Sequence, residues 1–170
     1  MGLLIIFGGL PAAGKSTIAR ELARQLGAVH VRIDSIEQAL RDAGQTVEDA
    51  GYRAAYAIAE DNLRLGHDVI ADCVNPWPLT RAAWRAVADR AGAPSLEVEI
   101  ICSDRVEHRR RVETRTTDVP GLRLPHWQEV VDRDYRAWDG DRVVVDTVRS
   151  SVADSVSAIR AAIDARRTRS

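Results

Sequence analysis

One short segment constrains the fold of this chain more than any other: residues 9–17 read GLPAAGKST. The segment fits the pattern GxxxxGK[ST], in which backbone N–H groups cradle phosphates, the lysine reaches the outer phosphates and the next hydroxyl ligates Mg²⁺. We therefore predict that Lys15 contacts the β- and γ-phosphates of a nucleotide and that Ser16 helps to hold a magnesium ion. The predicted nucleotide-binding residues are Gly9, Leu10, Pro11, Ala12, Ala13, Gly14, Lys15, Ser16 and Thr17.

The lysine of this motif is unusual in the composition of the chain. Lys15 is the only lysine among 24 basic residues, and all the others are arginine. A compact ammonium on a flexible stem can enter a phosphate cradle that the broad, planar guanidinium of arginine fits poorly. The composition therefore agrees with a phosphate-binding role for Lys15, although the motif itself is the stronger indication.

The segments on either side of the motif occur in the order that such a site requires. Leu3–Phe7 is a short apolar run typical of a buried strand, and residues 18–26 have the apolar spacing of a helix. The N-terminus of that helix would point its free N–H groups and its positive dipole end at an anion.

Further along the chain, apolar strand-like segments alternate with helical patterns. This alternation predicts an α/β fold in which helices flank a five-stranded parallel sheet. The predicted strands are Leu3–Phe7, Val29–Ile33, Asp68–Asp72, Leu96–Cys102 and Arg142–Asp146. The predicted helices are Lys15–Leu26, Ser35–Ala43, Val47–Leu65, Leu79–Ala91, Asp104–Arg115, Pro125–Trp138 and Ser151–Arg166.

Length, charge and cysteine content limit the class of protein. The 170 residues fit a single domain, residues 1–170, and the net charge of −1 gives no overall attraction to nucleic acid or to an anionic membrane. Cys73 and Cys102 lack metal-type spacing and are expected as reduced thiols. Met1 leads directly into the first strand without the pattern of a signal peptide or membrane span. We therefore expect a cytoplasmic protein with no membrane contact.

Asp34 is the predicted general base. It follows the second predicted strand directly, and ligands in open parallel sheets bind at the carboxyl ends of the strands. A carboxylate facing the phosphate loop could accept the proton of a substrate hydroxyl while its oxygen attacks the γ-phosphate. The alternative is that Asp34 caps the next helix, but Ser35 could serve as the cap and leave Asp34 free for the substrate.

Asp72 is the predicted second magnesium ligand. It ends the apolar run Val69-Ile70-Ala71-Asp72, as does the carboxylate that holds Mg²⁺, directly or through water, in nucleotide-binding folds of this kind. Many buried strands end in aspartate, so this assignment depends on the presence of the phosphate loop. Together, Ser16 and Asp72 are the predicted metal-binding residues.

An arginine-rich helix leads into a predicted lid at about residues 116–125. Arg111 and Arg115 stand four residues apart and so share one face of the helix, and the polar, breaker-rich lid follows them. We predict that closure brings Arg115 onto the transferring phosphoryl group and that Arg111 stacks on the adenine. The alternative is a set of surface ion pairs with neighbouring acids.

Four further residues are weaker candidates for contacts with the substrate. Asn75 and Arg81 follow the third strand and could line the cleft, or could belong to a turn between two prolines. Arg53 lies on the predicted helix Val47–Leu65, and Arg133 follows the lid.

These motifs together resemble the small P-loop kinases, which include chloramphenicol phosphotransferase, gluconate kinase, shikimate kinase and polynucleotide 5′-hydroxyl kinases. The similarity spans most of the chain and includes the phosphate loop, the aspartate after the second strand and a pre-lid arginine pair in RVETR at residues 111–115. The stretch from Asp72 to Arg81 is most similar to the zeta-toxin and polynucleotide-kinase-like branch, which is often labelled an AAA family ATPase. The resemblance implies a P-loop NTPase fold with a small arginine-rich lid. It also implies an ATP- and Mg²⁺-dependent kinase that phosphorylates a hydroxyl of a small molecule.

Other functions remain as alternatives. A GTPase is disfavoured because its Asn-Lys-x-Asp motif would need a lysine other than Lys15. A polynucleotide 5′-hydroxyl kinase would need an arginine-lined groove, whereas the net charge of −1 favours a small substrate. A nucleotide-binding module or ATPase without kinase activity would not depend on Asp34. The expected oligomeric state is a monomer or a homodimer.

Overall fold

The computed structural model describes residues 2–169 and is built around a five-stranded parallel sheet. The strands, numbered along the chain, are β1 (Leu4–Gly8), β2 (Val29–Arg32), β3 (Val69–Asp72), β4 (Ser95–Ile101) and β5 (Val143–Asp146). Their order across the sheet is β2-β3-β1-β4-β5, and each neighbouring pair is parallel. The predicted α/β class is confirmed, and each strand boundary lies within one residue of its prediction.

Helices cover both faces of the sheet. They are α1 (Lys15–Leu26), α2 (Ile33–Asp42), α3 (Ala50–Arg64), α4 (Pro78–Ala91), α5 (Arg105–Thr114), α6 (Trp127–Val131) and α7 (Val152–Arg169). None of these described helices is long and apolar enough to cross a membrane. The expectation based on Met1 lies outside the described residues, and the extent of a single domain over residues 1–170 stays a prediction.

The sheet is buried on both faces, as its apolar strands require. On β1, Ile5 and Phe7 pack with α1 and α7, whereas Leu4 and Ile6 pack with α3 and α4. Successive side chains of a strand point to opposite faces, so a strand covered on both sides is apolar throughout. All five residues of β1 are buried, which explains why its sequence is a continuous apolar run.

The predicted helix Pro125–Trp138 is wrong over most of its length, because only α6 (Trp127–Val131) is helical there. Tertiary contacts override the helical pattern in the segment that follows. The backbone N–H of Arg136 donates to the carbonyl oxygen of Pro76, and Trp138 packs so closely on Gly8 that a Cβ atom at position 8 would lie 2.1 Å from its ring. This extended segment therefore lies beside the carboxyl end of β1, where the phosphate loop begins.

Candidate active site

The phosphate loop connects β1 to α1, and its backbone conformation favours glycine at two positions. Gly9 has φ +139°, and a Cβ atom at this position would lie 2.1 Å from the carbonyl oxygen of Ile100. Gly14, at φ +109°, also lies in the region that favours glycine and forms the N-cap of α1. No side chain caps α1, so none competes with a bound anion for its first N–H groups.

Lys15 lies over its own loop. Its side chain is buried, and Nζ donates a 2.9 Å hydrogen bond to the carbonyl oxygen of Leu10. Burial lowers the pKa of this ammonium, while the negative charges of Asp72 and Asp34 oppose the shift. The structure thus brings the predicted phosphate-binding lysine close to the predicted metal-binding and base carboxylates.

Asp72, the last residue of β3, was predicted from the sequence as a site residue, but its polar neighbour His30 was not. It is 3 % exposed, and Oδ2 lies 3.1 Å from Nε2 of His30 on β2. Burial alone raises the pKa of Asp72, but hydrogen bonds from His30 and Ser16 and the charge of Lys15 together hold it below its ordinary value.

An ionised carboxylate beside a serine hydroxyl is a donor set that fits Mg²⁺. This ion is usually held by one or two carboxylates together with water and substrate phosphate oxygens. Among residues 2–169, no group of three or more His, Cys, Asp or Glu side chains forms a metal site made by the protein alone. Ser16 and Asp72 are therefore the residues that would hold Mg²⁺ at this site.

Asp34 lies in the first turn of α2, and the expectation that Ser35 caps this helix is wrong. The strand β2 passes directly into α2, so Arg32, with extended backbone angles, becomes the N-cap and leaves no loop between the two elements. Asp34 lines the cleft, and its carboxylate forms no hydrogen bond or ion pair within residues 2–169. Its charge nevertheless acts on Lys15 and Arg115, as expected for a carboxylate near both.

Arg115 lies at the C-terminus of α5, directly before the predicted lid. It is half-buried and lines the cleft, and its Nε atom has no hydrogen-bond partner among residues 2–169. Burial lowers the pKa of this guanidinium, the charge of Asp34 opposes the shift, and the charge of Arg32 adds to it. Leaving a buried donor unsatisfied costs about 1–3 kcal/mol, which an anion bound in the cleft would recover.

Arg111 links α5 to the phosphate loop. Its Nε donates to Glu107 at 2.7 Å, and its Nη1 donates to the hydroxyl oxygen of Thr147 at 2.7 Å. That hydroxyl in turn donates to the carbonyl oxygen of Ala13 at 2.8 Å. Arg111 lines the cleft, but its guanidinium is engaged in this network, and stacking on adenine stays a prediction.

The four weaker candidates for substrate contacts form two pairs, one exposed at the cleft and one buried. Arg53 and Arg133 are exposed and line the cleft. Asn75 is fully buried and donates a 2.7 Å hydrogen bond to the carbonyl oxygen of Phe7. Arg81 is 1 % exposed and lies outside the cleft lining.

Against the expectation that they line the cleft, Asn75 and Arg81 are buried residues outside the cleft lining, and both hydrogen-bond to the backbone. The guanidinium of Arg81 donates only to backbone carbonyl oxygens, those of residues 75, 76, 136 and 137. It thereby fixes the extended segment after α6 against the start of α4. Its position in the sequence, just after a strand, gave no indication that its side chain turns inward.

Three polar residues of the site were missed by sequence reasoning. His30 and Arg32 are two residues apart on β2 and so share one face of the strand, a signal that could have placed them together. Arg32 and Asp118 of the lid form an ion pair at 2.8 Å and both line the cleft. Asp118 falls within the predicted lid, but nothing in the sequence indicated its partner.

The cleft is large for a single ligand. Its volume is about 1440 Å³, and its walls come from the phosphate loop, α2, α3, the N-terminus of α4 and the lid. Sites for one small molecule usually measure about 300–1,000 Å³. The volume therefore suits a nucleotide and a second molecule bound side by side, and the aromatic side chains of Tyr52, Tyr56 and Trp77 also line it.

The fold and the phosphate loop define this protein as a P-loop NTPase of the kinase-like type. A family model described as an AAA domain matches residues 4–133, and the chain belongs to that family. The label agrees with the branch of small P-loop kinases that the sequence resembles.

Solved structures of two kinases and of the protein Kti12 share the fold over almost the whole chain. A gluconokinase from Sinorhizobium meliloti has a TM-score of 0.65 and 18 % identity, covering 98 % of this chain and 94 % of that one. A sugar kinase from a Janibacter species has a TM-score of 0.71 and 18 % identity, covering 96 % and 95 %. Kti12 from Chaetomium thermophilum, solved with ADP-AlF3, has a TM-score of 0.66 and 23 % identity, covering 96 % and 98 %. At these identities the likeness shows the fold alone.

Similarity to curated proteins is closer in sequence but covers less of the relative. The uncharacterized protein Rv2004c of Mycobacterium tuberculosis is 34 % identical in an alignment of 119 residues, which covers 61 % of this chain and 24 % of the relative. The uncharacterized protein Mb2027c of Mycobacterium bovis matches to the same extent. The chain therefore spans about a quarter of the length of the curated relatives it matches.

Proposed function

We propose that this protein is a kinase that transfers the γ-phosphate of Mg-ATP to a hydroxyl group of a small molecule. The observation that carries the proposal is the carboxylate of Asp34, which lines the cleft without a hydrogen bond or ion pair within residues 2–169. Its charge acts on both Lys15 and Arg115, so it lies within electrostatic reach of the residues suited to binding phosphates. A module that only bound nucleotide would have no use for an unengaged carboxylate at this point of the cleft.

In the proposed reaction, the hydroxyl oxygen of the acceptor attacks the γ-phosphorus of ATP. A new P–O bond forms, the bond from the γ-phosphorus to the bridging oxygen breaks, and ADP leaves with that electron pair. Asp34 accepts the hydroxyl proton, and Lys15 and Arg115 stabilise the charge on the phosphoryl oxygens. Mg²⁺, held by Ser16 and Asp72, would supply charge neutralisation of the β- and γ-phosphates.

The charge pattern on the acceptor side favours a small acceptor without negative charge. Arg41 pairs with Glu37 at 3.0 Å, and Arg53 lies 3.9 Å from Asp49, so both arginines that face this part of the cleft from α2 and α3 have acidic neighbours. An anionic acceptor is better served by arginines whose forks are free to take its oxygens. A 5′-hydroxyl oligonucleotide, the alternative acceptor, would meet the same acids, which repel its phosphates.

Label transfer from γ-labelled ATP tests this proposal. The parent protein and Lys15→Ala would be incubated with Mg²⁺ and a panel of aminoglycosides, chloramphenicol-like compounds, sugar acids, nucleosides and 5′-hydroxyl oligonucleotides. We expect the parent to label an uncharged or cationic hydroxyl compound and Lys15→Ala to label none, because the variant loses the ammonium that binds the outer phosphates. Release of inorganic phosphate with no labelled acceptor would instead favour an ATPase without kinase activity. A labelled oligonucleotide would favour the polynucleotide kinase.

The use of ATP indicates the cellular compartment of the proposed reaction. An ATP-dependent kinase requires a compartment that contains ATP, which agrees with the expected cytoplasmic location.

A further inference from the structure

An ion pair joins the lid to the end of β2 at the edge of the cleft. The carboxylate of Asp118 lies 2.8 Å from Nη1 of Arg32 and 2.5 Å from Nη1 of Arg20 on α1. The two guanidinium groups differ in environment, since the side chain of Arg32 is 14 % exposed and that of Arg20 is 51 % exposed. Arg32 is therefore a largely buried cation whose described acidic partner comes from the lid.

This partner leaves part of Arg32 unsatisfied. In the described part of the chain, the Nε atom of Arg32 is buried without a hydrogen-bond partner, and so is the Nε atom of Arg115. The two guanidiniums are also close enough for the charge of Arg32 to lower the pKa of Arg115. Two neighbouring cations, each with an unsatisfied buried donor, favour an anion that has several acceptor oxygens.

A phosphoryl group meets this requirement better than a carboxylate of the lid does. It presents three acceptor oxygens and more negative charge, and arginine forks match its geometry with paired hydrogen bonds. Both arginines line the cleft that holds the phosphate loop, and Asp34 acts electrostatically on Arg115 from the same wall.

We propose that Arg32 is a second arginine that contacts the transferring phosphoryl group beside Arg115, and that Asp118 is the lid carboxylate that neutralises Arg32 until the γ-phosphate replaces it. The inference rests on the proposed function, because it requires ATP in the phosphate loop. Asp118 must withdraw from Arg32 as the phosphate arrives, since two anions cannot share one guanidinium edge without repulsion. Nucleotide binding and lid position are thereby coupled through one exchange of counter-ions.

Binding of Mg-AMPPNP and Mg-ADP by the parent and by Arg32→Lys tests the role of Arg32. Lysine keeps the charge and loses the fork, so we expect binding of AMPPNP to weaken by about tenfold or more while binding of ADP, which lacks the γ-phosphate, changes by less than about twofold. The matched control is Arg24→Lys, an arginine of α1 paired with Glu21 at 2.7 Å outside the cleft lining, which should leave both affinities unchanged. Equal effects on both nucleotides, or no effect on either, would overturn the inference.

A second variant tests the counter-ion role independently of any folding defect in the first. Asp118→Asn removes the charge that competes with the γ-phosphate, so AMPPNP should bind about two- to fivefold more tightly with ADP unchanged, as expected for the loss of a half-exposed ion pair. Unchanged or weaker AMPPNP binding by this variant would refute the exchange. A parent protein that binds neither nucleotide would overturn the proposed function together with the inference. Normal parental binding with an insensitive Arg32→Lys would overturn the inference alone.

Discussion

Replacing Arg81 by methionine should destabilise the whole fold, although this residue takes no part in the reaction. Its guanidinium donates to four backbone carbonyl oxygens, those of residues 75, 76, 136 and 137, and lies 4.4 Å from the centre of the Trp138 ring. Methionine keeps much of the apolar stem but leaves these carbonyls without their donors. The extended segment after α6 would then lose its main attachment to the start of α4.

The expected magnitude follows from the number and burial of these contacts. Hydrogen bonds from a charged group contribute about 1.5–3 kcal/mol each, but they are not additive and part of that gain is offset by the cost of burying the charge. We therefore expect the free energy of unfolding to fall by about 3–5 kcal/mol, as for other buried charged networks that are broken. Trp138, which packs on Gly8 at the start of the phosphate loop, should loosen as well and weaken nucleotide binding.

Urea denaturation followed by tryptophan fluorescence and circular dichroism measures this effect. The matched control is Arg90→Met on the same helix, whose guanidinium pairs with Glu60 at 2.8 Å and is 53 % exposed. Only the arginine of this pair is exposed, and Glu60 keeps its pair with Arg64, so the loss should be about 0–1 kcal/mol and the control should unfold almost as the parent does. A loss below about 1 kcal/mol for Arg81→Met would refute the assignment of Arg81 as a structural anchor.

Two further predictions concern the phosphate loop and the cysteines. Gly9→Ala should weaken nucleotide binding by about tenfold or more with little loss of helix content, since its Cβ atom would lie 2.1 Å from the carbonyl oxygen of Ile100 at φ +139°; calorimetric titration with near-parental affinity would contradict this. Burial raises the pKa of both thiols, but Cys73 is 4 % exposed whereas Cys102 is half-buried, so Cys102 should react faster with a disulfide reagent in the folded protein. Because the folded state favours the protonated Cys73 thiol, its contribution to stability is present below the ordinary pKa of 9.0 and is lost as the pH rises above it. Equal reaction rates for the two thiols would refute the expected difference in reactivity between Cys73 and Cys102.

The sheet was predictable because its strands can be recognised in the sequence. Continuous apolar runs such as Leu3–Phe7 can be satisfied only by burial on both faces, and the glycine motif after the first run fixes where the nucleotide site lies. The sequence placed four features near one cleft because each lies at or just after the end of a strand or helix. These are the phosphate loop, Asp34, Asp72 and Arg115. Local pattern and overall fold agree at these positions.

The remaining errors share one physical cause. Contacts between segments far apart in the chain explain all three. They account for the short helix within Pro125–Trp138, the inward direction of Arg81 and the pairing of Asp118. A single sequence carries no record of such contacts. Where tertiary hydrogen bonds compete with local propensity, as they do for the segment that Arg81 holds, the tertiary contacts decide the conformation.

Phosphoryl transfer by Asp34→Asn is the measurement that tests the central claim most directly. Asparagine keeps the shape of the side chain and removes its ability to accept the hydroxyl proton, and a general base contributes about 10²–10⁴-fold to the rate. With an acceptor labelled by the parent, we expect single-turnover transfer by Asp34→Asn to fall by about 10²-fold or more while the affinity for Mg-ATP stays within about threefold. Asp61→Asn, a carboxylate of α3 outside the cleft lining, is the control and should transfer phosphate as the parent does. Transfer by Asp34→Asn at the parental rate would contradict the account.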